Sequence, residues 1–268
     1  MSQNFFQLLK NENPLKIVGT INAFSALLAK RKGHQAIYLS GAGVANASYG
    51  LPDLALTSRD NVLEDLRRIK GVCDLPILVD CDTGWGSGLN ISKTIKEMIN
   101  SGADAVHLED QVSEKRCGHR PGKEIVSSDE MEDRIKAAKD SIDNKNFMLM
   151  ARTDAFSKEG LSSVIDRSNA YIEAGADSIF PEAITKLDDY LEISKNVNAP
   201  ILANITEFGL TPMFEINELK NSGVKMILYP LSAFRAMSKA AEEIYEELAE
   251  QETLKNKLKK MQSRDELY

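Results

Sequence analysis

The stretch Ser101-Gly-Ala-Asp-Ala-Val-His-Leu108 decides the fold, because it takes the chain from the end of a helix to a strand within one short segment. A glycine just past a helix end adopts the left-handed conformation that closes the last turn. The residues that follow, 103–108, form a short apolar run, which is typical of a buried strand. The stretch therefore predicts one helix-to-strand unit of an α/β protein.

The same pattern of a glycine followed by a short β-branched run occurs at three other places in the chain. Further apolar runs lie between these places and bring the number of predicted strands to eight. The strands are predicted within 17–20, 32–39, 76–80, 103–108, 147–151, 174–180, 200–203 and 222–229.

Helical segments are predicted between most of these strands. Segment 128–141 has Ser128, Asp129 and Glu130 at its start, as capping and the helix dipole favour. The other helices are predicted at 58–69, 91–100, 161–173, 187–195 and 214–221. Alternation of strands with helices predicts parallel βαβ units, and eight strands predict an α/β fold of the closed (β/α)8 TIM-type. An open doubly wound sheet is the alternative, although no G-x-G-x-x-G follows the first strand.

The C-terminal segment 236–268 is predicted to form a helical extension of one or two charged amphipathic helices. We expect 1–268 to form a single barrel domain, of which 236–268 is a C-terminal helical arm. Periodicity does not identify the surface that an apolar stripe covers, so docking on the same barrel and docking on a neighbouring subunit both stay open. The stripe comprises Ile244, Leu248, Leu254, Leu258 and Met261.

Composition narrows the classes of function. The chain has 268 residues, of which 43% are hydrophobic and 27% charged, as in a globular protein. The net charge of −7 gives no electrostatic support for binding nucleic acid. The sequence shows no secretory signal and no apolar run of membrane-spanning length, so we expect a cytoplasmic protein with no membrane partner. Cys73, Cys81 and Cys117 show neither disulfide nor zinc spacing.

Two aspartates at the end of the third predicted strand are candidate metal ligands. Side chains alternate along a strand, so Asp80 and Asp82 are predicted to share a face while Cys81 points the other way. Two carboxylates on one face repel unless a proton or a cation lies between them, and Mg²⁺ prefers such oxygen ligands. Gly84 and Gly86 are expected to leave room for a ligand. A pair of capping aspartates is the alternative.

Other strand ends carry further polar groups. His107 and Glu109 share a face by the same alternation, and Glu109 either orders metal-bound waters or pairs with a lysine. Ser40-Gly-Ala-Gly43 either offers backbone N–H groups to an anion or forms a tight turn. Arg152 and Arg235 suit carboxylate binding, with a surface role as the alternative.

The segment 109–123 is predicted to be a mobile loop, because its glycines and proline disfavour helix and strand. It carries Cys117 among several basic residues. Nearby cations are expected to lower the pKa of the thiol and to attract a polyanionic substrate. A solvated basic loop with an incidental thiol is the alternative. The basic residues are Lys115, Arg116, His119, Arg120 and Lys123.

The loop motif Lys115-Arg-Cys-Gly-His-Arg-Pro121 resembles the signature loop of the 2-methylisocitrate lyases, within the isocitrate lyase and phosphoenolpyruvate mutase superfamily. The similarity extends over nearly the whole chain and includes Val18-Gly-Thr-Ile-Asn-Ala23, Leu108-Glu-Asp-Gln-Val112 and Ala151-Arg-Thr-Asp-Ala155. It implies cleavage of the tricarboxylate 2-methylisocitrate to pyruvate and succinate, with Mg²⁺ or Mn²⁺, in propionate catabolism by the methylcitrate cycle. It also implies a homotetramer that exchanges C-terminal helices.

The resemblance implies roles for individual residues. Asp80 and Asp82 would hold the metal. The residues around the metal-bound waters would be Asp53, His107 and Glu109. The substrate-binding residues would be Ser40, Gly41, Ala42, Gly118, His119, Glu182, Asn204, Ile205, Thr206, Arg235 and Arg264.

The expected chemistry is a retro-aldol type cleavage. Arg152 would stabilise the developing negative charge, and Cys117 would protonate the carbanion as general acid. Tyr38, in the second strand, is the candidate base. Gly118 and Gly122 predict a loop that opens and closes and is poorly ordered or displaced without ligand.

Two other functions stay open. One is the sister chemistry of the superfamily, phosphonopyruvate bond transfer or oxaloacetate decarboxylation, which does not need a thiol acid. The other is a catalytically silent barrel that only binds a ligand or partner. The presence of Asp80, Asp82 and Cys117 together argues against the silent barrel.

Overall fold

The computed structural model describes residues 4–251 and 253–267. Its eight parallel strands pair in the order β6-β5-β4-β3-β2-β1-β8-β7, and a parallel bridge between Ile179 and Ile201 joins β6 to β7. The predicted (β/α)8 TIM-type barrel is therefore confirmed. The strands are β1 (Leu15–Gly19), β2 (Ala36–Leu39), β3 (Ile77–Asp80), β4 (Ala105–Glu109), β5 (Met148–Thr153), β6 (Ser178–Pro181), β7 (Leu202–Asn204) and β8 (Met226–Tyr229).

Helices alternate with these strands, and every helix predicted between strands is present with bounds shifted by a few residues. A π-helical turn, Val44–Ser48, continues α3, and a 3₁₀ turn, Leu258–Lys260, lies between α10 and α11. The helices are α1 (Phe5–Asn11), α2 (Ala23–Arg31), α3 (Gly41–Gly43), α4 (Arg59–Lys70), α5 (Gly88–Asn100), α6 (Ser128–Lys139), α7 (Phe156–Glu173), α8 (Leu187–Asn196), α9 (Ile216–Asn221), α10 (Ser232–Glu250) and α11 (Arg264–Leu267).

The glycines of the repeated sequence pattern end helices as predicted. Gly33, Gly102, Gly175 and Gly223 have φ angles of 82°, 95°, 117° and 83°. A residue with a Cβ atom is disfavoured at such angles, whereas glycine is not. The pattern thus fixes where the chain turns from helix to strand.

Alternation along the strands sorts apolar side chains into two layers. One layer lies between the sheet and the helices and contains Leu39 and Val79, while the other lies inside the barrel and contains Leu78. Helix α1, which the sequence analysis did not predict, adds Phe5 and Leu8 to the inner layer.

Helix α1 lies at the N-terminal end of the strands. The side chain of Asn4, its N-cap, donates a hydrogen bond of 2.9 Å to Asn146, which lies two residues before β5. The opposite, C-terminal end of the strands is the one at which barrel enzymes place their active sites.

The chain divides into two compact units at Ser232. In the second unit, α10 has no buried residue, and Tyr245 and Leu248 are exposed. The segment that follows folds back on α10 through ion pairs, one of them between Lys257 and Glu247 at 3.2 Å. Within the described ranges, no helix combines the length and the apolar character needed to cross a membrane.

We predict that the inner contact of α1 stabilises the barrel. Leu8 is 2% exposed, so Leu8→Ala should lower the free energy of unfolding by about 2–5 kcal/mol, measured by urea denaturation. Leu89→Ala, at a leucine of α5 that is 86% exposed, is the matched control and should change it by less than about 0.5 kcal/mol. Equal effects of the two substitutions would show that α1 does not contribute to the core.

Candidate active site

Three buried carboxylates meet at the C-terminal ends of β3 and β4. Asp80, Asp82 and Glu109 each offer an oxygen atom, and these atoms all lie within 4.8 Å of one another. The three side chains are almost fully buried. Two of them were predicted as metal ligands and the third as a residue around the metal, so the sequence identified this cluster.

The reason for the shared location of Asp80 and Asp82 differs from the one predicted. Strand β3 ends at Asp80, and Asp82 has a φ angle of 45°, so a turn and not the strand pleat brings its side chain back to the cluster. Cys81 does point the other way, into the core between sheet and helices. The expectation that Gly84 and Gly86 leave room for a ligand is wrong, because Ile91 and Asn90 of α5 fill the space where a Cβ atom would lie.

Asp80 is held by donors from β2 and the turn that follows it. Its Oδ2 atom accepts hydrogen bonds from the backbone N–H of Gly41 at 2.9 Å and from the hydroxyl of Tyr38 at 3.3 Å. The Nε2 atom of His107 lies 2.9 Å from the same hydroxyl. Donation from His107 to Tyr38, and from Tyr38 to Asp80, is consistent with these distances, while Nδ1 of His107 is buried without a hydrogen-bond partner among the described residues. Of the backbone donors predicted after β2, the N–H of Gly41 thus binds a carboxylate of the chain itself, whereas that of Gly43 donates to the Ser40 hydroxyl.

Burial and mutual repulsion separate the protonation states of the cluster. Burial alone would raise the pKa of Asp80, but the charges of nearby Lys115 and Arg152 and the Gly41 hydrogen bond hold it below its usual range. Burial raises the pKa of Asp82, and the charge of Asp80 adds to this effect. Burial also raises the pKa of Glu109 well above its ordinary value. The cluster therefore needs a compensating cation to be fully ionised.

Lys115 supplies one such cation, and the sequence analysis did not assign it to the site. Its Nζ atom lies 2.8 Å from Asp82 and 2.5 Å from Asp53. Burial opposes its charge, but Asp82 and Glu109 hold the pKa of Lys115 well above its ordinary value. Asp53, predicted to lie near the metal, is thus brought to the cluster through this lysine. The position of Lys115 two residues before Cys117 was the available signal.

Arg152, in β5, lies among three carboxylates. Its guanidinium is 3.3 Å from Glu109, 3.3 Å from Glu182 and 2.9 Å from Asp154. It also lies over the ring of Phe180, 5.2 Å from the ring centre. Although burial opposes ionisation of Glu182, Arg152 holds the pKa of that carboxyl well below its ordinary value. The predicted charge-stabilising arginine is therefore placed beside the carboxylate cluster.

The cysteine loop packs onto this arrangement. A Cβ atom at Gly118 would lie 2.4 Å from Arg152 Nη2 and 2.4 Å from Glu182 Cγ, so only glycine fits there. His119 Nε2 lies 3.0 Å from Glu182, and its Nδ1 accepts a hydrogen bond of 3.0 Å from the N–H of Leu210. The amide nitrogen of Asn204 lies 3.3 Å from both oxygens of Glu182. The structure describes the loop in this closed position, and its displacement without ligand stays a prediction.

Cys117 is half-buried under the closed loop. Burial raises the pKa of its thiol above the ordinary value, against the opposing effects of the His119 backbone and Arg152. The expectation of a lowered pKa is therefore wrong. The cations that are neighbours in the sequence bind other groups, since Lys115 pairs with Asp53 and Asp82. The thiol keeps its proton near neutral pH.

Comparisons with known proteins identify the family. The model of the family described as phosphoenolpyruvate phosphomutase matches residues 5–249. The chain is 57% identical to 2-methylisocitrate lyase of Escherichia coli (strain K12), over 98% of this chain and 90% of that protein. The chain belongs to the 2-methylisocitrate lyase family. The family predicted from the cysteine loop is confirmed.

Solved structures of the superfamily share the fold. A crystal structure of 2,3-dimethylmalate lyase aligns with a TM-score of 0.90 at 30% identity, covering 97% of this chain and 87% of that one. Phosphonopyruvate hydrolase in complex with oxalate and Mg²⁺ aligns with a TM-score of 0.84 at 25% identity, covering 97% and 90% of the two chains.

Several residues expected in the site of a 2-methylisocitrate lyase lie elsewhere or have no site contact shown. The side chain of Ile205 belongs to the core between sheet and helices, because it alternates with Asn204, and the role of Ile205 in substrate binding stays a prediction. Arg235 and Arg264 lie in the second unit, and their roles stay predictions. Ser40 caps α3, whereas Ala42 and Thr206 stay predicted contacts.

We predict that Cys117 reacts as an ordinary or weakly acidic thiol. A raised pKa leaves less thiolate at neutral pH, so alkylation by iodoacetamide should be slow at pH 7 and increase about tenfold per pH unit to above pH 9. Rates are measured by mass spectrometry of the intact chain. Cys73 and Cys81 are buried and should not react in the folded protein, and Cys117→Ala is the control. A plateau in the rate below pH 8 would contradict the raised pKa.

Proposed function

We propose that this protein cleaves 2-methylisocitrate to pyruvate and succinate, as a carbon-carbon lyase with a divalent cation and Cys117 as general acid. One observation carries the assignment of the site. The loop bearing Cys117 is locked over the carboxylate cluster by Lys115 on one side and by Gly118 and His119 on the other. The 57% identity to a 2-methylisocitrate lyase supports the choice of substrate.

The residues present fit a divalent cation. Asp80, Asp82 and Glu109 offer converging oxygens, and Glu109 Oε1 is buried without a hydrogen-bond donor among the described residues. Hard cations such as Mg²⁺ take carboxylate oxygens of this kind, and Mn²⁺ accepts the same ligands. A cation bound there would polarise the oxygens of an α-hydroxy acid. Asp53 and His107 lie next to these ligands and would order the surrounding groups.

Charge and proton transfer are assigned to the chain's own residues. The C2 hydroxyl gives its proton to a general base as its oxygen becomes the keto oxygen of pyruvate. The bond between C2 and C3 breaks, and its electron pair stays on the carbon that becomes part of succinate. Arg152 stabilises the negative charge that develops on the neighbouring carboxylate. Cys117 then transfers its proton to that carbon, which requires a thiol that is protonated beforehand. The raised pKa of Cys117 supports this role.

We propose that Tyr38 orients Asp80 and does not act as the base. Burial and the charge of Asp80 raise the pKa of Tyr38 well above its ordinary value, so its phenol is neutral and donates to Asp80. A neutral phenol is a weak base, and this disfavours the predicted role of Tyr38 as the group that takes the hydroxyl proton. Its contact with Asp80 instead suits it to orient that carboxylate.

Our proposal also covers the setting of the enzyme. We place it in propionate catabolism, in the methylcitrate cycle, and in the cytoplasm. We further propose a homotetramer that exchanges C-terminal helices. The exposed apolar side chains of α10, such as Tyr245 and Leu248, support an arm that packs against another surface. Arg235, directly before this arm, and Arg264 within it would then reach a substrate site.

A panel of substrates tests the proposal. With Mg²⁺, we expect turnover of 2-methylisocitrate, followed by formation of pyruvate, and its loss when EDTA removes the metal. Isocitrate lacks one methyl group, so its kcat/KM should be lower by about 10–200-fold. Calorimetric titration should show Mg²⁺ binding that Asp82→Asn abolishes. Turnover of oxaloacetate or phosphonopyruvate in place of 2-methylisocitrate would assign the sister chemistry, and no turnover of any would favour a silent barrel.

Replacing the thiol tests its role as acid. Cys117→Ser should lower kcat by about 10²–10⁴-fold and leave KM within a few-fold, because a serine hydroxyl is a far weaker acid of similar size. Cys73→Ala removes a different buried thiol and is the matched control, with kcat expected to be unchanged. A Cys117→Ser enzyme with nearly normal kcat would remove the thiol from the mechanism.

A further inference from the structure

Asp154 joins two parts of the structure that the sequence analysis treated separately. Its Oδ2 atom accepts a hydrogen bond of 2.9 Å from Arg152 Nε, and its Oδ1 atom accepts one of 3.2 Å from Arg152 Nη2. The same Oδ1 atom accepts a hydrogen bond of 2.8 Å from Lys123 Nζ. Asp154 is 0% exposed and Lys123 is 4% exposed. One carboxylate therefore binds both the site arginine and the end of the cysteine loop.

The backbone of Asp154 is held in place by hydrogen bonds that lead to the barrel scaffold. Its backbone N–H donates a hydrogen bond of 2.8 Å to Asp110 Oδ1. The other oxygen of Asp110 accepts hydrogen bonds from Thr153 at 2.7 Å and from Tyr171 at 2.9 Å. These donors come from β5 and α7, so Asp110, at the start of the loop, anchors Asp154 to the scaffold independently of Lys123.

Lys123 lies where the cysteine loop returns to the barrel. An antiparallel bridge between Gln111 and Ile125 forms the base of the loop. The side chain of Gln111 holds the outgoing limb, since it accepts from Arg116 N at 3.0 Å and donates to Arg116 O at 2.9 Å. Lys123 ties the returning limb to Asp154. Both limbs of the loop are thus fixed. The returning limb is held by Asp154, which also binds Arg152.

The contacts of Arg152 show how the ion pair between Lys123 and Asp154 can affect the orientation of its guanidinium. Asp154 takes the edge formed by Nε and Nη2, and this bidentate contact fixes the plane of the guanidinium. The remaining donors then face Glu109 and Glu182 in the site. A change at Asp154 would rotate these donors, and loss of Lys123 would leave an extra negative charge beside Arg152.

We propose that Asp154 and Lys123 are positioning residues, which link the closed position of the cysteine loop to the orientation of Arg152. Asp154 contacts the site through Arg152, and Lys123 contacts it through Asp154. The effect on catalysis rests on the proposed function, through the role of Arg152, whereas the tether between loop and barrel does not. The alternative is a buried ion pair that only stabilises the fold, and the test separates the two.

The first arm of the test measures the loop without substrate. In the full-length protein, limited trypsin digestion cleaves after Lys115 and Arg116 when the loop opens, and the fragments are quantified by mass spectrometry. Lys123→Met and Asp154→Asn should each increase this cleavage rate about tenfold or more, because they remove a buried charge partner of the loop. Lys139→Met, which breaks the Lys139–Asp177 ion pair of 2.9 Å on α6, is the matched control and should leave the rate unchanged.

The second arm measures kinetics. Asp154→Asn should raise KM and lower kcat/KM by roughly 100-fold, because it releases the guanidinium. Lys123→Met should mainly lower kcat, and Lys123→Arg should restore values to within a few-fold of the parent. A purely structural ion pair would change the melting temperature alone.

The outcomes decide the proposal in each case. Parent-like cleavage and parent-like kinetic constants in both variants would overturn it, whatever their stability, and so would equal effects of Lys139→Met. Should Asp154→Asn fail to fold, the cleavage rates and kinetic constants of Lys123→Met and Lys123→Arg decide the proposal. If the parent protein does not cleave 2-methylisocitrate, the proposed function fails, and the trypsin arm still tests the tether.

Discussion

Buried negative charge at the C-terminal end of the barrel is the constraint on which the rest of the site depends. Asp80, Asp82 and Glu109 lie almost without solvent, where an unpaired carboxylate is strongly disfavoured. The scaffold supplies Arg152 from β5, and the loop supplies Lys115. The cysteine loop is therefore part of the charge balance of the site, and its closed position is stabilised by the carboxylates that it covers.

The same constraint explains the protonation state of the thiol. When the loop closes, its cations are drawn toward acidic partners, and Cys117 is left in a partly desolvated position near Asp53 and Glu182. Both effects favour the neutral thiol. A basic loop thus holds a neutral thiol and not a thiolate, because the fold distributes the cations differently from the order of residues in the chain.

The fold was largely predictable because its signals are local. Glycine at a helix end and a short apolar run act within a few residues, and the four glycines with positive φ show that these signals were read correctly. Helix α1 was missed, because its short amphipathic pattern is weak and its stability comes from Phe5 and Leu8 inside the barrel. Burial of such a helix depends on the closed sheet and cannot be recognised from seven residues alone.

The site residues that lie at strand ends could be predicted from the sequence. The contacts between residues that are distant in the sequence could not. Asp80 and Glu109 follow from their strands, whereas the pairing of Lys115 with Asp53 requires the loop to fold back over the barrel. The role of Lys123 depends in the same way on Asp154. The placement of Ile205 in the outer core could have been predicted, because the strand alternation that directs Asn204 inward directs its neighbour outward.

The balance of charge in the closed site sets the conditions under which a substrate can bind. Six acidic side chains lie in the site with three lysine or arginine side chains, and His107, beside Asp80, is neutral because burial lowers its pKa to about 4. Burial raises the pKa values of Asp82 and Glu109, so full ionisation of the cluster is opposed. A tricarboxylate would add further negative charge and meet repulsion from the ionised cluster. Charge compensation among the carboxylates must therefore precede productive binding of such a substrate, and a divalent cation achieves it without leaving the carboxylates protonated. The acids are Asp53, Asp80, Asp82, Glu109, Asp154 and Glu182, and the cations are Lys115, Lys123 and Arg152.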